Sequence, residues 1–185
     1  ALFSFASLDT PVDHSIPVGS ASLPVAVWNE NTTPAGRLAN GTLTLSLEIA
    51  KGAWHPLGPD KPAGEVLLFS EPGKAPLNPG PMIRVSEGDQ VRVIVKNELP
   101  VPTTIHWHGV EVPNAMDGVP GVTQDPIQPG ETFTYEFTAK PAGTFMYHSH
   151  FEGDIQVSAG LYAPFIIDPK EAEANPPAVD KILMI

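Results

Sequence analysis

His106-Trp107-His108-Gly109 and, further along the chain, His148-Ser149-His150 are the stretches on which the reading of this sequence turns. They hold four of its 6 histidines. In an extended backbone successive side chains point to opposite faces, so both histidines of a His-x-His unit project one way and the middle residue the other. One such unit on a strand is commonly incidental. Two on neighbouring strands would bring four imidazoles to one patch, the outline of a transition-metal site.

The sequence around them is written in strands. Glu131–Thr138 alternates strictly and puts Phe133, Tyr135 and Phe137 on one face. Thr42–Ile49 alternates without a fault, with Gly41 and Gly52 as its expected ends. After Met82–Val85 and a turn at Ser86-Glu87-Gly88-Asp89, Val91, Val93 and Val95 share a face opposite Arg92 and Lys96. Glu65–Ser70, Thr103–His108, Thr144–His148 and Leu161–Ile167 complete the set, and Pro164 predicts an edge position or a bulge for the last. About eight short strands, no long helix and no repeat predict an all-β Greek-key sandwich or barrel. Residues 151–159 read as a turn or short helix. The Pro/Gly-rich connection 109–130 lies between the two histidine pairs and is expected to wrap near them.

Bulk properties narrow the function. Hydrophobic residues make up 42% of the 185 residues, too many for disorder. Only 17% are charged, while 22 prolines and 16 glycines supply many turns. Ten basic against 21 acidic residues give a net charge of −11, which argues against nucleic acid or an anionic membrane as partner. No run is long enough for a transmembrane helix. Cysteine is absent, so disulfides and thiolate metal sites are excluded. Residues 1–40 read as an irregular N-terminal arm, 41–168 as the β domain, and 169–185 as a linker followed by the start of a further strand or domain. The chain begins at Ala1 without a signal-peptide pattern and closes on Asp180–Ile185, so a piece of something longer is expected. In the arm, His14 reads as solvated and Trp28 as a packing anchor. His55, before Pro56, is the reserve candidate for a ligand.

At this point a resemblance becomes specific. The two histidine stretches combine with Asp117-Gly118-Val119-Pro120-Gly121-Val122-Thr123-Gln124, Pro126-Ile127-Gln128-Pro129-Gly130, Phe133-Thr134-Tyr135-Glu136-Phe137, Gly143-Thr144-Phe145-Met146-Tyr147 and Gly160-Leu161-Tyr162. In order and spacing, from about Pro81 to Ile167, this resembles the first cupredoxin domain of laccase-like multicopper oxidases. The resemblance implies a cupredoxin-like Greek-key fold and half the ligands of a trinuclear copper cluster, with His106 on the type 2 copper and His108, His148 and His150 on the type 3 pair. It places Asp117 as a carboxylate beside the cluster that orients a ligand or relays protons; the plainer reading is the first residue of an Asp-Gly turn. Met146 stands where many relatives carry an aromatic; alternation is read as turning it away from the His148 face, so it reads as core and not as a soft copper ligand, and Trp107 and Tyr147 read as packing residues beside the site.

The missing residues bear on function as well. Without cysteine the chain has no type 1 copper site, and the resemblance assigns it four of the eight cluster histidines. The isolated chain is therefore expected to be inactive, its partners being dioxygen and a complementary cysteine-bearing cupredoxin domain in the same polypeptide or a neighbouring subunit. Copper nitrite reductases carry their type 1 cysteine in the first domain, so the lack of cysteine and the presence of Ser149 argue against that branch. The rival reading is a non-catalytic copper-binding module for storage, delivery or assembly; a zinc-binding structural domain is weaker. An extracytoplasmic location follows from the family alone.

Overall fold

Alternation along Thr42–Ile49 sends Leu43, Leu45, Leu47 and Ile49 to one side, and in the computed structural model that side is the core: none is more than 1% exposed. The structure describes residues 23–171 and 180–184; His14 lies outside them. In chain order the first strands are β1 (Val27–Trp28), β2 (Arg37–Ala39), β3 (Thr42–Trp54), β4 (Gly64–Ser70), β5 (Leu77–Asn78) and β6 (Ile83–Ser86). Then follow β7 (Gln90–Asn97), β8 (His106–His108), β9 (Thr132–Thr138), β10 (Gly143–His148) and β11 (Tyr162–Asp168). The helical pieces are a 3-10 turn at Asn114–Met116 and the one-turn helix α1, Gly153–Gln156.

Two sheets face each other across one core. The first runs β2-β3-β7-β9, with β4 also paired to β3; the second runs β6-β11-β10-β8. A parallel pair, β1-β5, stands beside them. Parallel β3·β7 and β6·β11 pairs among antiparallel neighbours give the crossed connections of a Greek-key sandwich. Gly52 does not end β3. The strand continues to Trp54 and pairs its far half with β4, because the missing side chain at 52 leaves room for Leu68 and the Pro24 carbonyl, where a Cβ would collide.

Other boundaries also differ from the sequence expectation. The strand expected over Thr103–His108 is a ladder only over His106–His108, and Thr103 makes an isolated bridge to Ile127. β11 is an interior strand despite Pro164, since its pairing with β6 begins one residue later, at Phe165. Part of the arm is regular: Arg37–Ala39 extends the first sheet. Trp28 packs the arm by stacking on Trp54 at 6.3 Å, and does so at the surface, 61% exposed. Residues 180–184 form no ladder. Asp180 pairs with Arg84, which also grips Asp168 through two bonds of 2.8 Å.

The centre of the core is aromatic. Trp107, fully buried, has Phe137, Tyr135, Tyr147 and Phe165 around it at 4.9–5.9 Å between ring centroids. The Tyr135 hydroxyl accepts the Ile105 N–H at 2.9 Å, and the Tyr147 hydroxyl donates to the Pro81 carbonyl at 2.6 Å. Burial pushes the Tyr135 phenol up to about 12 and that of Tyr147 well above its usual range, so both stay protonated and serve as packing and anchoring groups. Replacing Trp107 with Ala is expected to cost about 3–5 kcal/mol of unfolding free energy, whereas Trp28→Ala costs under about 1 kcal/mol; urea denaturation of the two variants checks the contrast.

Candidate metal centre

The histidines face outward because their neighbours face inward. Trp107 and Tyr147 are cross-strand partners buried on the core side of β8 and β10, so His106 and His108, and with them Met146 and His148, emerge on the other side. Register finishes the placement: His106 lies opposite His148, and His108 opposite Met146. The ring centroids are 5.4 Å apart for His106–His148, 5.6 Å for His106–His108 and 5.4 Å for His108–His148. One ring nitrogen from each of these three falls within 4.8 Å of the others. His150 lies beyond the end of β10 and is exposed, yet its ring sits 5.2 Å from that of His106. All four predicted imidazoles meet at one patch. His55 does not join it; its Nδ1 is paired with the Lys61 carbonyl at 2.8 Å, within its own turn.

Met146 requires a correction. Residues two apart on a strand share a face, so Met146 stands on the histidine side, half-buried and not in the core. With His108, His148, His150 and Val157 it lines an open cavity of about 400 Å³.

Hydrogen bonds decide which nitrogens are free. His106 donates from Nδ1 to the Asp117 carbonyl at 2.7 Å, and His148 from Nδ1 to the Ser149 carbonyl at 2.7 Å. Each ring is thereby fixed in the tautomer that leaves Nε2 with its lone pair. His148 Nε2 lies 3.2 Å from His108 Nδ1, so His108 faces the cluster through Nδ1 and not through Nε2. Desolvation lowers the His148 pKa; the Ser149 carbonyl opposes this and the neighbouring histidines add to it. The ring is therefore neutral, the ligand form, at neutral pH. Neutral nitrogen donors with no thiolate suit copper, so the residues present fit that metal.

The 109–130 connection does wrap onto the patch. It delivers Asp117 at the end of the 3-10 turn, with its carboxylate 3.5 Å from His106 Nδ1 and one-third exposed. The closer contact to His106 is the backbone carbonyl of Asp117, which the sequence reading did not single out. Gly118 makes that approach possible. Its φ is +76°, and a Cβ there would run into the Ile105 carbonyl. Also missed was a buried group of hydroxyls and amide, Thr103, Ser149 and Gln156, directly behind the second histidine pair. A glutamine set between Ile155 and Val157 was the available signal.

Fold and patch together define a cupredoxin-like β-sandwich that carries a cluster of four imidazoles on one face. Comparison with known proteins narrows the class: residues 77–172 match the profile of the multicopper oxidase family. The chain belongs to that family, whose members are copper-dependent oxidoreductases. It is 50% identical over 120 residues to Laccase-1 of Emericella nidulans, covering 53% of this chain and 20% of that protein. Against a copper resistance protein A homolog of Pseudomonas syringae pv. tomato it is 47% identical over 95 residues, 51% of this chain and 16% of the relative. The crystal structure of a multi-copper oxidase from Pseudomonas thermotolerans superposes with a TM-score of 0.64 at 38% identity, over 72% of this chain and 31% of that one. The chain thus spans a fifth or less of the length of these two curated relatives, 20% and 16%.

Because the Asp117 loop passes over Ile105 only without a side chain at 118, Gly118→Ala is expected to destabilise the fold by more than about 1 kcal/mol. It should also release the His106 ring from its carbonyl, read as a changed Nδ1 nitrogen shift in NMR spectra of the metal-free chain.

Proposed function

We propose that this chain is the N-terminal part of a laccase-like multicopper oxidase and supplies half the ligands of a trinuclear copper cluster. His106 would hold the type 2 copper, and His108, His148 and His150 the type 3 pair. The observation that carries this reading is the convergence of four imidazoles from two paired strands, with the Nε2 atoms of His106 and His148 freed by backbone carbonyls. When bound there, copper supplies the one-electron chemistry by which dioxygen is reduced to water while a substrate is oxidised at a type 1 copper elsewhere.

The chain's own residues have separable tasks. The β8–β10 ladder sets the spacing of His106, His108 and His148. The Asp117 carbonyl orients His106, which leaves the Asp117 carboxylate, partly open to water, to pass protons toward the site. A type 1 site needs a thiolate, and this sequence contains no cysteine. The complement is therefore a cysteine-bearing cupredoxin domain, in the same polypeptide or in a neighbouring subunit, and dioxygen is the second partner. Residues 41–168 form the cupredoxin unit of this scheme, 1–40 its lead-in and 169–185 the connection onward. An extracytoplasmic setting accords with this chemistry, and among the described residues no helix is long and apolar enough to cross a membrane.

A second reading, a non-catalytic copper-binding module, is favoured by one feature: His108 and His150 are exposed on an open face. Copper titration and oxidation of a phenolic dye in air separate the two. The chain alone should bind copper, lose more affinity when His106 or His148 becomes Ala than the roughly 10–100-fold that loss of an outer-shell partner costs, and leave the dye untouched. Adding the cysteine-bearing domain should start oxidation; if it never does, the storage reading prevails. Dye oxidation by the chain alone would sink the shared-site scheme. In the reconstituted enzyme, Asp117→Asn should keep its copper, because the ring bond uses the backbone, while turnover falls about 10–100-fold.

A further inference from the structure

We infer that Gln156 is a positioning residue for the second histidine pair, and above all for His150; this rests on the copper-ligand reading just proposed. His150 is the one candidate ligand outside the β8–β10 ladder, since β10 ends at His148. Something other than strand pairing must hold it 5.2 Å from His106. Behind it lies a closed polar group. Gln156 is 1% exposed, and Thr103 and Ser149 are fully buried. The Gln156 Oε1 accepts the Thr103 hydroxyl at 2.8 Å and the Ser149 hydroxyl at 2.7 Å, while its Nε2 donates to the Pro102 carbonyl at 2.9 Å. Ser149 Oγ in turn accepts the Phe151 N–H at 3.2 Å.

Each bond has a direction, and together they form a single path. Pro102 and Thr103 lead into the first pair, Ser149 is the middle residue of the second, and Phe151 follows His150. One carboxamide therefore clamps the backbone entering His106 to the backbone on both sides of His150. Both polar atoms of that carboxamide are engaged, Oε1 by two hydroxyls and Nε2 through one N–H. An apolar side chain of the same length would take this partner from the buried Thr103 hydroxyl and the Pro102 carbonyl, and would leave the Ser149 hydroxyl only the longer bond to the Phe151 carbonyl at 3.3 Å. The residue touches no metal and acts through Ser149.

The test uses the full 185-residue chain, with Cu(II) as the probe, in Gln156→Met and in Thr103→Val and Thr103→Ser. Gln156→Met should weaken Cu(II) binding about tenfold and remove one nitrogen donor from the Cu(II) electron paramagnetic resonance pattern. It should also speed amide exchange at Ser149 and Phe151 in the metal-free chain. In a His150→Ala background the same substitution should cause no further loss of affinity, since the two act on one ligand. Additive losses, or unchanged exchange and affinity, overturn the inference. If Gln156→Met does not fold, the Thr103 pair decides: Val should weaken binding about fivefold, the worth of one neutral hydrogen bond, and Ser should restore it. Equal behaviour of Val and Ser overturns the inference. A wild-type chain that binds no Cu(II) overturns the copper reading instead, and the exchange rates then judge the clamp: unchanged rates refute it.

Discussion

The pairing of Trp107 with Tyr147 is the contact on which the rest of this molecule depends. Two large aromatics, directly opposed across β8 and β10 and fully buried, commit both strands to one face. A one-residue slip would send the indole into water and the imidazoles into the core, an exchange that loses both ways. The core thus fixes the histidine face by exclusion, and the histidines need no interaction with each other to arrive there. Copper sites are often described from the ligands inward. Here the causal order runs from a hydrophobic register to a set of lone pairs.

What the ladder leaves open, the loops close. A strand sets where a side chain leaves the backbone, but not how an imidazole is turned about its own bonds. Two backbone carbonyls, of Asp117 and Ser149, do the turning. The Asp117 carbonyl requires a loop at close range, and the enabling feature is Gly118, whose backbone fits where no side chain could. The Ser149 carbonyl belongs to the next residue along the chain from His148, and the Ser149 hydroxyl is bonded to Gln156. Loop and strand therefore make different contributions to one geometry, and a fault in either reaches the same nitrogen atoms.

Sequence and structure part company in an instructive pattern. Alternation made the faces of β3, β7 and β9 legible, because one side of each meets the core and the other water. The two His-x-His units made the patch legible for the same reason. Met146 is misplaced by a miscount of parity: the sequence reading turns it away from the His148 face, whereas residues two apart on a strand share a face, and period two puts it beside the histidines. Gly52 and Pro164 misled as punctuation. A glycine ends a strand or admits a close neighbour, and a proline marks an edge or falls where pairing has not begun; which applies is settled by strands distant in sequence. The Gln156 group was invisible for a stricter reason: its partners at 102–103 and 149 come from separate segments, and no local pattern joins them.

The four imidazoles are not held equally, and the inequality has a direction. His106 and His148 are half-buried, opposed in the ladder and bonded at Nδ1, so their Nε2 atoms are oriented before any metal arrives. His108 and His150 are exposed, and for neither is a bond outside the patch part of the geometry described. The organised pair costs little further ordering on binding, while the exposed pair must give up side-chain freedom. On the proposed reading, that freedom is lost most cheaply when a complementary domain covers the face and excludes water. A half-site that is rigid at its base and adaptable at its rim discriminates against holding metal tightly alone. On that reading the open face and the absence of cysteine belong together, since the remaining ligands and the soft donor are left to the partner.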